Sequence, residues 1–362
     1  MLRHNSKNFG EIVPDFTLFL TICITLLYGT IILYSASNND TSIIFSHLAK
    51  IFLGLIIMIV ISKVNINLII TSSPYIYALS LFFLFLVFIS GTDVKGASRW
   101  ISLFGFNFQP SEILKISLPM ILCWYVSIVA DDKKRFLHLI VLLMITFLPI
   151  LFVIRQPDLG MSTIALMCAL ITLFLSYFNL QNIIILLTLF LTSIPLVWKY
   201  FLLDYQKSRI LTMLDPSSDP LGSGWNIIQS KIAIGSGGFF GKGLFNGTQT
   251  KLEFLPERSN DFIFAVLSEE LGFIGVLLLF ILYLIIIYRC FLITQKTKNN
   301  YGKILSGSLL LIFIMLFTIN IGMCIGLFPV VGITLPLISQ GGSSIVTTLA
   351  LFGVIMSVGH KS

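Results

Sequence analysis

Apolar stretches about as long as a bilayer-spanning helix follow one another along nearly the whole chain, separated by short polar segments. About twenty apolar residues in a helix cross a ~30 Å hydrocarbon core, so each stretch is predicted to be a transmembrane helix. The pattern therefore predicts an all-α polytopic integral membrane protein with about ten spans, forming one domain over residues 1–362. The predicted spans are 15–36, 43–62, 68–90, 111–130, 136–154, 160–178, 181–200, 262–289, 303–328 and 336–358.

Composition supports the same class of protein. Hydrophobic residues make up 56% of the chain and charged residues 11%, against about 25% charged residues in soluble domains. The net charge of +7 does not indicate nucleic-acid binding, because the basic residues lie at the ends of apolar stretches rather than in one patch. The five cysteines lie within apolar stretches without metal-ligand spacing, and are predicted to be small buried hydrophobic residues.

One long polar loop, residues 201–260, separates the seventh predicted span from the eighth. A loop of this length is usually functional or disordered. Its apolar residues, among them Trp225, Phe239 and Phe240, favour an ordered loop. Residues 224–234 fit a short amphipathic helix at the membrane interface.

The distribution of lysine and arginine predicts which side of the membrane each loop faces. An even number of spans places both termini on one side, and basic residues mark the cytoplasmic side. The short loops of the opposite side carry only Lys95, Arg99 and Arg155. The long loop and the segments holding Arg99 and Asp158 are therefore predicted to face outward together. The basic residues assigned to the cytoplasmic side are Arg3, Lys7, Lys63, Lys133, Lys134, Arg135, Arg289, Lys296, Lys298, Lys303 and Lys361.

Two short outward segments carry candidate polar site residues. Arg99 precedes Pro110, which suits a helix start, and Glu112 and Lys115 then lie at i and i+3 on one helix face. The pair can be read as a first-turn ion pair, but Lys115 lies about a turn inside the span, where ionisable residues are usually functional. Asp158 lies between Pro157 and Gly160 in a tight turn, where turn formation alone would also explain an Asp.

The glycine-rich part of the long loop contains Lys242 between Gly241 and Gly243. The spacing does not match a nucleotide-binding loop, and no strand–helix unit surrounds it. Backbone amides and a lysine could still hold a phosphate there.

Three acids mark the eighth predicted span. Asp261 opens it, directly after the helix-capping residues Ser259 and Asn260, and the helix dipole favours its ionised form. Glu269 and Glu270 form an acidic pair within the span, which is costly in lipid and must face protein or water. A salt bridge between helices would explain that pair equally well. No zinc-type cluster or hydrolase elbow is present, and the four histidines lie near span ends or termini, so a histidine-based catalyst is not expected.

Several continuous runs resemble the SEDS family, named for shape, elongation, division and sporulation. The resemblance extends from Tyr34-Ser35-Ala36-Ser37 to Gly341-Gly342-Ser343 and is strongest over 204–272. The Gly247-Thr248-Gln249 and Leu255-Pro256-Glu257-Arg258 runs are more similar to the elongation branch than to the division branch. The runs that carry the resemblance are Asp219 to Gly222, Gln229 to Gly238, Glu253 to Arg258 and Gly322 to Gly332.

The family implies a peptidoglycan glycosyltransferase that polymerises lipid II, an undecaprenyl-pyrophosphate-linked disaccharide-pentapeptide, into glycan strands. It implies a site on the outer face of the cytoplasmic (inner) membrane, where the enzyme maintains rod shape during elongation. The implied partners are a class B penicillin-binding protein, which acts as transpeptidase, and other membrane proteins of the elongation complex. Two other functions stay open, a lipid II flippase and a non-catalytic scaffold.

By this resemblance Asp261 matches the family's essential loop acid, and Arg99, Glu112, Lys115 and Asp158 match polar positions of its cavity. Our hypothesis makes Asp261 a general base in an inverting transfer, with Arg99, Lys115 and Lys242 stabilising the pyrophosphate. No cofactor is certain, and a divalent cation (Mg²⁺ or Mn²⁺) at Asp261 or Asp158 is left open. The departures from the family pattern are Gln340, Arg155 and Asn260.

Overall fold

The computed structural model describes residues 14–94, 97–103, 106–129, 135–176, 204–219, 222–252 and 254–360, with a few positions between 188 and 200. The helices in these ranges are α1 (Phe16–Ala36), α2 (Thr41–Ser62), α3 (Ile66–Ser90), α4 (Leu114–Val129), α5 (Arg135–Arg155), α6 (Leu159–Ser176), α7 (Asp204–Leu214), α8 (Ser223–Gly237), α9 (Thr248–Lys251), α10 (Ile263–Lys296), α11 (Asn300–Cys324) and α12 (Gly342–His360). Short 3₁₀ turns add Pro110–Ile113 and Pro216–Ser218.

The predicted all-α polytopic architecture is confirmed. Eight helices of the described residues are long and apolar enough to cross a membrane, and Ile140–Arg155 within α5 is a shorter apolar helix. The predicted span 181–200 lies outside the residues that the structure describes. The last predicted span, 336–358, begins too early, because helix α12 starts only at Gly342.

Polar side chains set several helix starts. Asp15 accepts a hydrogen bond from the Leu18 amide at 2.9 Å, and Asp40 accepts one from the Ser42 amide at 2.9 Å. Asn65 and Asn299 cap α3 and α11 in the same way. Each cap satisfies an amide that the first helical turn leaves without a partner, which is why these helices begin where the apolar runs begin.

The site is positioned by the helix ends that meet at one end of the bundle. Helices α3 and α4 are joined there by three short antiparallel strands, β1 (Thr92–Val94), β2 (Ala97–Leu103) and β3 (Phe106–Phe108), in the order β1-β2-β3. The sequence did not predict this small sheet. The turn between α5 and α6 and the segment between α11 and α12 reach the same end, while α12 is packed mainly against α2.

The long loop is ordered over most of its described length and holds three helices, α7, α8 and α9. The predicted amphipathic segment 224–234 is helical, as part of the 15-residue helix α8. Helix α8 packs along α10 so closely that a β-carbon on Gly237 would meet the Ser268 carbonyl. The loop therefore lies against the eighth-span helix rather than apart from it.

Helix α10 is interrupted at Gly272, whose backbone has φ 63° and ψ −159°. The chain that follows α8 supplies partners for the backbone groups freed by this break. The amide of Phe273 donates to the Gly238 carbonyl at 3.0 Å, and the amide of Lys242 donates to the Glu269 carbonyl at 3.0 Å. Unpaired backbone groups are very costly in hydrocarbon, so the break depends on this inserted segment. The span predicted over 262–289 is present as α10, and the break at Gly272 divides it into two helical segments.

We expect Gly272→Ala to destabilise the protein. An alanine in left-handed backbone costs about 1–2 kcal/mol, and its β-carbon would approach the Phe239 carbonyl oxygen to 2.8 Å. Thermal unfolding in detergent should show a Tm lowered by several degrees. The matched control is Gly235→Ala in α8, where a β-carbon would meet nothing within 4 Å. Equal Tm values for the two variants would contradict this account of the break.

Candidate active site

A cavity of about 880 Å³ lies where these helix ends converge. It brings together residues that are far apart in sequence, from α2, the sheet, α4, α6, α7, α8, α12 and the segments that precede α10 and α12. Five of the predicted site residues line it, with four cations balanced by four acids overall. The charged lining residues are Lys50, Arg99, Glu112, Lys115, Asp158, Arg209, Glu257 and Asp261.

Glu112 and Lys115 form a buried ion pair on the cavity wall. The 3₁₀ turn Pro110–Ile113 leads into α4, and the Lys115 Nζ lies 2.6 Å from the Glu112 Oε2. The two residues are 5% and 4% exposed, and the Thr347 hydroxyl of α12 donates to the same Oε2 at 3.1 Å. The ion pair considered from the i, i+3 spacing is present, and it also faces the cavity.

Arg99 and Asp158 form the second charged group of the cavity. Arg99 of β2 donates from Nε to the Gln156 carbonyl at 3.2 Å and from Nη2 to the Pro157 carbonyl. Its Nε is 3.8 Å from the Asp158 Oδ2. Asp158 also caps α6 by accepting from the Met161 amide at 3.1 Å, so its role in turn formation is real. Burial raises the pKa of the Asp158 carboxyl, and the Arg99 guanidinium opposes that rise.

Asp261 lies two residues before the start of α10 and lines the cavity. Asn320 of α11 donates to the Asp261 carbonyl at 2.9 Å and to the Ile333 carbonyl at 2.6 Å. This bridge fixes the acid beside the segment that precedes α12. A β-carbon on Gly332 would lie 3.6 Å from the Asp261 Oδ2, so the backbone there approaches the carboxylate without an intervening side chain.

Two of the departures from the family pattern lie next to Asp261. The Asn260 amide group donates to the Glu257 Oε2 at 3.1 Å, and the Asn260 carbonyl accepts from the Ser339 hydroxyl at 2.6 Å. The Gln340 backbone amide donates to the Ser259 carbonyl at 2.9 Å. Both residues therefore help to hold the chain that carries the acid.

The structure does not bring Lys242, Glu269 and Glu270 to this cavity. The Lys242 Nζ lies 2.7 Å from the Glu269 Oε1, and the fully buried Glu269 also accepts from the Thr248 amide at 2.8 Å. Glu270 accepts from the Ser35 hydroxyl of α1 at 2.5 Å. The prediction that Lys242 faces the substrate is thereby corrected, because its ammonium group holds the loop onto α10 instead. The salt bridge considered for the acidic pair exists, but it joins a helix to the loop.

Sequence reasoning missed Lys50, Arg209 and Glu257 as residues of the cavity. Lys50 carried a signal, since a lysine within an apolar span is by default a candidate for function. Arg209 carried none, because it is one of many basic residues in the long loop. Glu257 belongs to the run that marks the family resemblance, but that run gave no signal that the Glu257 side chain lines the cavity.

The acids of the cavity do not form a complete metal site by themselves. Among the residues that the structure describes, no three His, Cys, Asp or Glu side chains are grouped as metal ligands. A divalent cation at Asp261 or Asp158 would therefore need oxygen ligands from elsewhere, such as the phosphates of a substrate.

Comparison with known proteins identifies the family. The family model described as "Cell cycle protein", built on FtsW, RodA and SpoVE, matches residues 15–362. The chain belongs to this family, and the resemblance to SEDS proteins is confirmed.

Individual relatives agree with this assignment. The chain is 41% identical over 357 residues to "Peptidoglycan glycosyltransferase MrdB" of Escherichia coli (strain K12), covering 98% of this chain and 96% of that one. It is 31% identical over 426 residues to "Peptidoglycan glycosyltransferase RodA" of Treponema pallidum, covering 96% and 98%.

Two solved structures share the fold. A chain described under "Structural coordination of polymerization and crosslinking by a peptidoglycan synthase complex" has a TM-score of 0.82 and 29% identity, over 95% of this chain and 97% of that one. RodA of Thermus thermophilus has a TM-score of 0.70 over 95% and 96%, and its 23% identity supports the fold alone.

We expect Glu112→Gln to be strongly destabilising, because it leaves the Lys115 ammonium buried without its counter-charge. Breaking a buried pair in this way costs about 3–5 kcal/mol. The double variant Glu112→Gln/Lys115→Met should recover part of the loss, which a double-mutant cycle of thermal unfolding measures.

The control for this cycle is a second i, i+3 pair, Asp204 and Lys207 in α7. Its charged atoms are 3.8 Å apart and the Asp204 side chain is fully exposed, so Asp204→Asn should leave Tm nearly unchanged. Strictly additive losses at Glu112 and Lys115 would refute the coupling.

Proposed function

We propose that this family member, a peptidoglycan glycosyltransferase, polymerises lipid II into glycan strands at the outer face of the cytoplasmic membrane during elongation of a rod-shaped cell. The observation that carries the proposal is one cavity in which the Asp261 carboxylate shares its walls with four cations. A reaction between a sugar hydroxyl and a sugar pyrophosphate needs both, a base for the hydroxyl and positive charge for the pyrophosphate.

Charge distribution supports an outward-facing cavity. The described basic residues Lys63, Lys296, Lys298 and Lys303 lie at helix ends opposite the end that holds the cavity. Basic residues concentrate on the cytoplasmic side of membrane proteins. Both termini are then cytoplasmic, and the cavity meets substrate on the other side of the membrane.

The proposed reaction is a single inverting displacement. The 4-hydroxyl oxygen of the acceptor sugar attacks the anomeric carbon of the donor, and a β-1,4 bond forms as the bond to the α-linked pyrophosphate breaks. The lipid pyrophosphate leaves with the electron pair of that bond. Asp261 takes the hydroxyl proton in this step, as a positioned carboxylate can.

Arg99 and Lys115, which line the same cavity, support the same step. Each is held in place by an acid, Asp158 for Arg99 and Glu112 for Lys115. Their remaining N–H groups donate to phosphate oxygens as charge develops there, and donors fixed in advance are the most effective ones. The polyprenyl tail stays in the bilayer, in a groove between spans.

A class B penicillin-binding protein is the proposed partner that crosslinks the strands, together with other membrane proteins of the elongation complex. Support comes from the solved relative described under coordination of polymerisation and crosslinking by a peptidoglycan synthase complex.

Asp261→Asn should lower polymerisation of purified lipid II in detergent by roughly 100-fold or more, the range for a lost general base. The matched control is Asp204→Asn, an exposed acid of the same loop, which should polymerise like the wild type. Detergent removes the two membrane sides, so a flippase or a scaffold would make no polymer there. Polymerisation by a folded Asp261→Asn protein at the wild-type rate would refute the base assignment.

Arg99→Lys should lower kcat/KM by roughly tenfold or more. Arg99 donates to two carbonyls at once while facing the cavity, and a lysine point charge cannot reproduce that fork. The control is Arg155→Lys, at the exposed end of α5 beside the same turn. Similar kinetics for both variants would argue against a geometric role for the Arg99 guanidinium.

A further inference from the structure

The four cations of the cavity divide into two that are paired with acids and two that are not. Arg99 pairs with Asp158 and Lys115 with Glu112. Among the described residues, neither Lys50 nor Arg209 forms an ion pair with a carboxylate, and Arg209 donates only to the Val330 carbonyl. A paired cation adds little net charge, so the unpaired ones dominate the attraction for an anion.

Lys50 lies inside the apolar helix α2, nine residues after its start at Thr41, which is about 14 Å along a helix. Its Nζ is 4.0 Å from the position that a β-carbon on Gly342 would take, as is the Trp100 ring. An ammonium at such a depth is costly unless it faces water or an anion. Lys50 lines the cavity, where its ammonium group can face water or a bound anion.

Arg209 reaches the cavity from the long loop. Its Nη1 donates to the Val330 carbonyl at 3.0 Å, two residues from Gly332, which adjoins the Asp261 carboxylate. A guanidinium has five N–H donors, so Arg209 keeps donors for a ligand close to the acid.

We propose that Lys50 and Arg209 bind the pyrophosphate of the lipid-linked sugar, in addition to the acid-paired Arg99 and Lys115. The inference rests on the proposed function and names the two cavity cations that form no ion pair with a carboxylate among the described residues. Asp261 and Glu257 would repel an anion from the same cavity, so two cations without acid partners are needed to hold it there. Pyrophosphate carries several ionised oxygens, so it can accept hydrogen bonds from Lys50 of α2 and Arg209 of α7 at the same time.

The test measures binding of inorganic pyrophosphate and kinetics of lipid II polymerisation on the purified full-length chain. The variants are Lys50→Gln and Arg209→Gln, with Lys50→Arg as the variant that keeps the charge. The matched controls are Lys63→Gln, an exposed lysine at the other end of α2, and Lys207→Gln, a lysine of α7 that pairs with Asp204.

Both Gln variants should weaken pyrophosphate binding and raise KM for lipid II by roughly tenfold or more, the range for one charge-assisted hydrogen bond. The kcat value should change less, Lys50→Arg should stay within about threefold of wild type, and both controls should match wild type.

Unchanged pyrophosphate affinity in the two Gln variants would overturn the inference, even if kcat fell, because a structural role alone would produce that result. A wild-type chain that binds pyrophosphate but makes no polymer would refute the proposed function and leave the assignment of the two cations standing. If Lys50→Gln lost pyrophosphate binding and Lys50→Arg bound pyrophosphate equally poorly, the role of positive charge at Lys50 would be overturned.

Discussion

The hydrocarbon core supplies no water for hydrogen bonding, and the rest of this structure depends on that constraint. Inside the bilayer each backbone amide and each charge needs a partner from the protein itself. The break of α10 at Gly272 meets the requirement through the inserted segment after α8, and Glu269 meets it through Lys242 and the Thr248 amide. In the cavity beside Asp261 eight charged side chains face open space, which is why chemistry can be located there.

Much of the fold and part of the site could be predicted because they depend on local patterns. Span positions follow from windows of apolar residues, and the Glu112–Lys115 pair follows from spacing on one helix face. Asp158 was identified both as a turn residue and as a site residue, and its contacts with Met161 and Gln109 show that one carboxylate serves both requirements. These features need no knowledge of what lies across the bundle.

The features that could not be predicted depend on distant contacts. A glycine in an apolar run does not reveal that its backbone is left-handed, so the break at Gly272 was invisible in the hydropathy pattern. Lys242 was expected beside the substrate because its glycine neighbours resemble a phosphate loop, yet packing of α8 on α10 brings it to Glu269. Lys50 was missed for a different reason. A lysine in an apolar span is itself a signal, but one lysine barely lowers the mean hydropathy of a 22-residue helix.

The segment between α11 and α12 positions both the proposed base and Arg209. Asn320 joins the carbonyls of Asp261 and Ile333, and Arg209 binds the carbonyl of Val330 in the same segment. The Ser230 hydroxyl of α8 donates to the Cys324 carbonyl at 2.8 Å, which ties the long loop to the end of α11. The acid and the cation thus share one rigid support, although more than fifty residues of chain separate them. A loop anchored in this way behaves as part of the bundle, so its chemistry can be as well positioned as that of a helix.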